Sequence, residues 1–581
     1  MADGAIAGPD DRARPQPRRR AGPAPSGGAG ALLRLPREVL WQRLGYRLRA
    51  PWFASAVYRL TLPARPDGSV ALGFPDPWPG NAALGGALIQ GTFALADETI
   101  RNPAPLWAPI GADPAWLEEL HGFAWLRDLR AVGGDTGRRA ARDLVGSWID
   151  DNARWRPLPW RPDLIGQRLA AWIAQYDFFG ASGDAGLRGR LLVSAARQAC
   201  HLARVLPAGL TGGALIVAIK GLIYAGLALP RGEAWLARGL VLLETELARQ
   251  IGADGGHVER SPSAHLAVLR HLIDLRAALD TAGRPLPSGL PAAIDGLASM
   301  LRLFQHGDGG LALFNDSNEE ESWQIDMALG RADAHARPLV SAPQSGFQRL
   351  VANRTVVLVD SGAPAPPGFD AHAHAGTLSF EMSVGRERLI VNCGARASGA
   401  EWRLAQRSTA AHSTLVVDDT NSSELLAGGG LARRPRAVTC RREESDGNIW
   451  LDLGHDGYAA PFGLAHRRRL YLAASGDELR GEDRLTRSGR RGRGRPFELR
   501  FHLHPQVQAF IAQNGQAAIL RLAGGSGWRL RAAGVGMALD DSVYLGRRGQ
   551  VRRTQQIVLA GVADEDETAV KWALARESRR R

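Results

Sequence analysis

The sequence predicts a multidomain chain, α then β: a helical N-terminal half followed by a C-terminal antiparallel β-sandwich. Three observations carry this. From Leu32 to about Gln305, apolar residues recur at three- and four-residue steps, the period of an amphipathic helix. Near Gly346 the pattern changes to short runs rich in β-branched residues, separated by turn residues. No helical stretch lies between those runs, which is the pattern of an antiparallel sandwich. At 581 residues the chain is also too long for one hydrophobic core.

Residues 1–30 are rich in Pro, Gly, Ala and Arg and read as a disordered basic tail. Residues 31–330 form the helical domain. Asp113-Pro114 opens one helix, with Asp as N-cap and Pro at the first helical position. Trp116, Leu117, Leu120, Phe123 and Leu126 follow at helical spacing. Asp163 opens Leu164–Phe179 in a similar way. Further helices are expected at about Leu187–Val205, Ala214–Leu229, Glu233–Ile251, Ser263–Leu279 and Pro291–Phe304. The short Gly/Pro loops between them make neighbours antiparallel. Tryptophan is concentrated in this half, mostly as expected core.

Residues 331–581 form the β-domain, with the boundary between Phe314 and Gly346. Expected strands are Thr355–Asp360, Thr377–Val384, Leu389–Asn392, Ser413–Val417, Ala437–Arg441, Ile449–Leu453, Arg467–Ala473, Glu498–Leu503 and Ala518–Leu522. Val570, Trp572 and Leu574 alternate as a last strand would. The Arg/Gly-rich stretch from Arg487 to Arg500 reads as a long hairpin loop.

The formal net charge is +13, carried almost wholly by Arg, since Lys occurs only at Lys220 and Lys571. With so much Ala and Gly, this looks like the product of a GC-rich genome. A net positive field still attracts polyanions. No nucleic-acid recognition motif accompanies it, so no specific nucleic-acid partner is expected. Cys200, Cys393 and Cys440 are odd in number and far apart, which argues against a disulfide scaffold and a thiolate zinc site. No apolar run reaches the roughly 18–20 residues that span a bilayer. The N-terminus lacks the apolar stretch of a secretory signal, so a cytoplasmic location is expected. The sequence carries no signal for an oligomeric state.

Three segments gather chemistry. The first, Asp254-Gly255-Gly256-His257-Val258-Glu259-Arg260-Ser261-Pro262-Ser263-Ala264-His265, joins two expected helices through a tight turn. It brings His257, Glu259, Arg260 and His265 within about two turns of chain, a reasonable active-site rim. The second, Phe369-Asp370-Ala371-His372-Ala373-His374-Ala375-Gly376-Thr377-Leu378, leads into a strand; on extended chain His372 and His374 would face the same way. The third, Ala411-His412-Ser413-Thr414, also leads into a strand. Histidines at successive strand starts point to one shared site.

In their order and their α-to-β switch, these segments resemble the heparinase II/III-like family. The matching stretches are DGGHVERSPSAHL, DGGLALFND (Asp308–Asp316), HAHAGTLSFEMSVGRERLIVNCG, AHSTLVVDD and FELRFHLHP. The resemblance implies an (α/α) incomplete toroid followed by a β-sandwich, and polysaccharide lyase activity. Such enzymes cleave uronate-containing polysaccharides by β-elimination: the sugar carboxylate is neutralised, a base removes the adjacent proton, and an acid protonates the leaving oxygen. An acidic polysaccharide is thus the implied partner, and the family's usual setting makes the periplasm an alternative location. By position, His372 matches the family's catalytic histidine and Glu259 an acidic residue of the helical-domain motif. His257 and Arg260 are candidate catalytic groups beside it, and His265 and Asp254 candidate substrate-binding groups. His374 and His412 match zinc-ligand positions of metal-bearing members; the family's third ligand, a carboxylate, falls at Asn392. A structural zinc ion is therefore a weakened expectation, because a neutral amide is a poor ligand.

Two departures stand out. Active members usually carry Tyr directly before the histidine of the helical-domain motif, where this chain has Ala264. They also commonly carry an Asn-His pair on an earlier helix, where this chain reads Gly209-Leu210-Thr211-Gly212-Gly213-Ala214. Tyr176 and Tyr224 are candidate replacements for the missing hydroxyl. A catalytically degenerate acidic-glycan-binding protein on the same scaffold is the alternative.

Overall fold

The computed structural model describes residues 34–63, 73–74, 76–333, 338–488 and 493–577. The basic tail and the centre of the Arg/Gly-rich stretch lie outside them. The expected helices form, with small shifts at their ends. Asp113 caps Pro114–Gly122 through its side chain, and Ser261 caps Pro262–Thr281, each with Pro in the first turn. Asp184 caps Ala185–Val205. The expected Leu164–Phe179 helix differs: it starts at Pro162 with Arg161 at the N-cap, ends at Ala174, and resumes as the short turn Tyr176–Phe179. Asp163 therefore sits inside the first turn, where its charge complements the helix dipole.

Several elements were not foreseen, among them a seven-residue helix, Ala400–Gln406, inside the β-half. A β-hairpin, Thr92–Leu95 paired with Glu98–Arg101, interrupts the helical half. Its turn residues Ala96 and Asp97 both have positive φ, the twist that a two-residue hairpin loop needs. Phe93 and Leu95 root it in a cluster with Trp116, Phe123, Trp148 and Trp172.

The main helical core lies among Pro162–Ala174, Gly212–Ala228, Glu233–Gln250, Pro262–Thr281 and Gly289–Leu303. Two of these helices touch backbone to backbone. A side chain at Gly221 would meet Gly166 O at 2.3 Å, and one at Gly166 would meet the Ala218 Cα at 2.4 Å.

The β-half is two packed antiparallel sheets. One, of eight strands, runs in space through 508–512, 517–521, 527–533, 567–576, 478–487, 464–472, 448–455 and 438–445. The other runs through 536–544, 552–563, 495–503, 387–391, 380–384, 355–360, 347–352 and 341–342, with 415–417 also pairing onto 495–503. Inward residues of both fill one core; Phe380 of the second sheet stacks on Trp572 of the first, ring centres 5.8 Å apart. The final strand, Glu567–Arg576, thus holds the sandwich centre. The Arg/Gly-rich stretch is not the hairpin loop expected: strand 478–487 before it belongs to the first sheet and strand 495–503 after it to the second.

Residues 305–320 form a seam between the halves. Arg388 grips Asp308 with two nitrogens, at 2.8 and 3.2 Å, and donates to Leu311 O. Glu381 accepts from the Leu313 N–H and lies 2.9 Å from His306 Nε2. Asn318 donates to Ala395 O and Leu545 O. We predict that Gly221→Ala will cost about 1–3 kcal/mol through overpacking at the helix crossing. Urea unfolding followed by helical circular dichroism checks this; an unchanged midpoint contradicts the close crossing.

Candidate active site between the two domains

The seam delivers Asp316 to the histidine motif. His372 and His374 lie in the loop ahead of a strand, as expected, though that strand starts later, at Phe380–Val384. They meet at one carboxylate: His372 Nδ1 is 3.0 Å from Asp316 Oδ2, and His374 Nε2 is 2.8 Å from Asp316 Oδ1. Asn315, the preceding residue, accepts from the His374 N–H and donates to Arg260 O. Asp316 was the residue sequence reasoning missed. Its only signal was its place at the end of DGGLALFND.

The His372 ring sits on the floor of a concavity, enclosed by protein yet half exposed to solvent. Burial alone would depress it, but the hydrogen bond and charge of Asp316, with Glu259 behind, push it up to about 9. It is therefore a cation at neutral pH. Burial would raise Asp316, but its contacts with the two imidazoles, the charged His372 foremost, hold it far below the usual carboxylate range. Among the described residues, His372 Nε2 makes no hydrogen bond and is free for a ligand.

His374 and His412 behave differently. Burial lowers both, so they are neutral. His412 Nδ1 is 2.7 Å from Ser408 O and must donate there. Its Nε2 therefore carries no proton and lies 3.1 Å from His374 Nδ1; a neutral His374 donates either there or to Asp316 Oδ1, not to both. Asn392 is committed to other partners: its Oδ1 accepts from the Ser413 N–H and its amide nitrogen donates to Glu381. His374 Nδ1 and His412 Nε2 converge, but the neutral amide of Asn392 is taken up in this way, so the set lacks the third ligand that a zinc ion needs. No group of three or more His, Cys, Asp or Glu placed to hold a metal occurs among the described residues.

Glu259 is buried beside Gly212 and Gly213. A Cβ at Gly212 would fall 1.9 Å from Glu259 Oε1, so the glycine is what makes room for the carboxyl. Burial raises Glu259, partly offset by the His372 charge and a hydrogen bond from the Gly213 N–H. Each group thus feels the other across the domain boundary. His257 stands behind: Nε2 is 2.9 Å from Gln250 Oε1, Nδ1 is 3.6 Å from Glu259 Oε2, and burial drives the ring down to about 3.

Three expected site residues serve the fold instead. Arg260, held at positive φ, donates to Ser345 O and Gly346 O and pairs with Asp360 at 2.5 Å, so its charge is used up at the domain seam. His265 is buried against Leu297 O. Asp254 accepts from the Ser345 backbone and hydroxyl and from Gly256. The candidate tyrosines do not reach the cleft either. Tyr224 lies in the helical core with its hydroxyl toward Asp274 O, and Tyr176 packs against the aromatic cluster.

The cleft above His372 has a volume of about 1040 Å³. Arg396, Arg403 and Arg407 of the sandwich face Glu98, Glu118 and Glu119 of the helical half across it. No tyrosine lines it among the described residues.

A helical half and a two-sheet half, meeting at a cleft floored by a histidine–carboxylate pair, define the architecture of the toroid-plus-sandwich polysaccharide lyases. The chain superposes on the crystal structure of heparinase III with a TM-score of 0.69 at 16% identity, covering 94% of each chain. A heparan sulfate lyase from Pedobacter heparinus gives 0.60 at 15% identity, covering 94% of this chain and 88% of that one. The N-terminal heparinase II/III family matches residues 105–332 and the heparinase II/III-like C-terminal family matches 334–573. The chain belongs to the heparinase II/III family. FtsZ-localized protein C of Caulobacter vibrioides is 33% identical over 96% of this chain and 99% of its own length. Heparin-sulfate lyase of Bacteroides stercoris is 29% identical over 20% of this chain and 18% of its own.

The Asp316 contact has a measurable signature. His372 should titrate near 9 by NMR and fall by at least one unit in Asp316→Asn, since a close opposite charge is worth roughly 1–3 units. The folded value lies above the unfolded one of about 6.5. The pair therefore stabilises the fold fully below that pH, and the contribution is lost as pH rises through about 9.

Proposed function

We propose that this chain is a polysaccharide lyase that cleaves a uronate-containing polysaccharide by β-elimination. The observation that carries this is the His372 imidazolium, fixed by Asp316 on the cleft floor and coupled to the buried carboxyl of Glu259. Arg403 on the rim neutralises the sugar carboxylate, making the neighbouring C–H acidic. Glu259, a stronger base for being buried, takes that proton in its ionised form. The electron pair moves into the ring carbon–carbon bond, and the bond to the glycosidic oxygen breaks. His372 Nε2 supplies the proton that the leaving oxygen needs.

A second reading is favoured by the absence of a cleft-lining tyrosine among the described residues, together with Ala264 and Gly212-Gly213. Here the same cleft holds an acidic glycan without cutting it. The nearly full-length relative named for its localisation with FtsZ fits this reading, in which the chain acts where FtsZ is and not as a degradative enzyme.

Incubation with a panel of uronate polymers separates the two. Lyase action yields unsaturated products with new ultraviolet absorbance. Turnover should rise as Glu259 ionises and fall through about pH 9 as His372 loses its proton. His372→Ala should abolish it with circular dichroism unchanged. Saturable, salt-sensitive binding with no product from any polymer supports the second reading and ends the first.

A further inference from the structure

The unforeseen hairpin bears on how a glycan enters the cleft. Its tip reaches from the helical half to two loops of the sandwich. Asp97 Oδ1 accepts from the Gly549 N–H at 2.6 Å, and Oδ2 accepts from the Ala397 N–H at 2.9 Å. Arg396 donates to Asp97 O, and the Gly399 N–H donates to Asp113 Oδ2 at 3.0 Å. Ala94, Asp97, Glu98, Ala397 and Gly549 all line the same cleft as His372 and Asp316. The bridge is therefore a wall of the cleft and not a contact outside it.

Charge marks the same boundary. Glu98, Glu118 and Glu119 gather on and beside the hairpin. Arg161 pairs with Glu118 from the side, and Arg548 lies within the field of Glu119 and Asp97 but pairs with Glu320. The cation that suits a uronate chain, Arg403, lies instead on the sandwich wall that carries His372; Arg407 is spent on Ala373 O, Leu426 O and Gly430 O, and Arg396 on Asp97 O. A polyanion running past the hairpin would meet both a backbone barrier and carboxylates.

We propose that the hairpin is a docked strap, held by Asp97, which makes the cleft blind at one end so that the site takes the terminus of an acidic glycan and not its interior. This rests on the glycan reading above and names the part of the polymer recognised. Asp97 acts as a specificity-determining residue by holding the strap; it does not touch the reacting atoms.

The test uses the full chain and Asp97→Gly, which removes the carboxylate while tolerating the positive φ of that position. The probes are a heparosan decasaccharide with free ends and the same decasaccharide with both ends blocked by bulky protein caps. Wild type should bind the free-ended probe at least about tenfold more tightly than the blocked one. Asp97→Gly should bring the two affinities close together. Equal wild-type affinity for both probes overturns the inference. A protein-only measurement keeps the strap and the glycan reading separable. The Ala397 and Gly549 amides should exchange hydrogen slowly in wild type and roughly tenfold or more faster in Asp97→Gly, because each loses a charge-assisted bond. Fast exchange of both amides in wild type overturns the docked strap whatever the binding result. Slow exchange with no binding of either probe preserves the strap, removes the claim of end selection for uronate glycans, and counts against the proposed function itself.

Discussion

One carboxylate organises the centre of this molecule. Asp316 belongs by sequence to the segment leaving the helical half, yet each of its two oxygens faces an imidazole of the sandwich. The contact would be worth little at a surface, where water screens an ion pair. Here the enclosed carboxylate is screened less than a surface one, although His372 stays half open to water, and the pairing of opposite charges offsets the cost of burying Asp316. It also fixes which ring nitrogen of His372 is committed, leaving Nε2 as the face offered to a ligand. The loop bearing His372 has no strand ladder to hold it, so its order depends on this carboxylate and on the Arg407 bonds to Ala373 O and Gly430 O.

Neighbouring histidines end in opposite states for the same reason. His372 is open to the cleft and has carboxylates on two sides, so it keeps a proton. His374 is sealed in, with His412 as its other partner, and stays neutral. The backbone beneath them is braced from inside the sandwich. Arg468, paired with Asp483, donates to Leu378 O and Ser413 O, and so ties the two histidine segments together. Trp572 donates to the other Asp483 oxygen, which links the last strand to the site.

The fold was largely legible in the sequence, because both halves keep their period. The strand Thr355–Asp360 and the capped helix after Asp113-Pro114 follow from local pattern alone. The hairpin was not legible: its strands are four residues each and sit inside a long helical stretch. The site was legible only in part. His372 and Glu259 are brought toward one another, but Asp254, Arg260 and His265 share Glu259's motif and point into the fold. Sequence spacing shows which polar groups are near each other along the chain. It does not show which of them the seam will consume, since that depends on contacts such as Arg260 with Asp360, a hundred residues apart. Asp316 was hidden in the same way, 56 residues from His372.

The seam from 305 to 320 has one more consequence. Because it is stitched to both halves by buried bonds, swinging one half against the other would break Arg388–Asp308, the Glu381 cluster and the Asn318 bonds together. Hinges elsewhere are made of a few yielding residues; this connection is among the most heavily tied stretches in the chain. The spacing between the cleft walls is thus settled during folding, and a ligand arriving later finds a preorganised opening. Discrimination then lies in shape and charge already in place, with little ordering entropy left for the encounter itself.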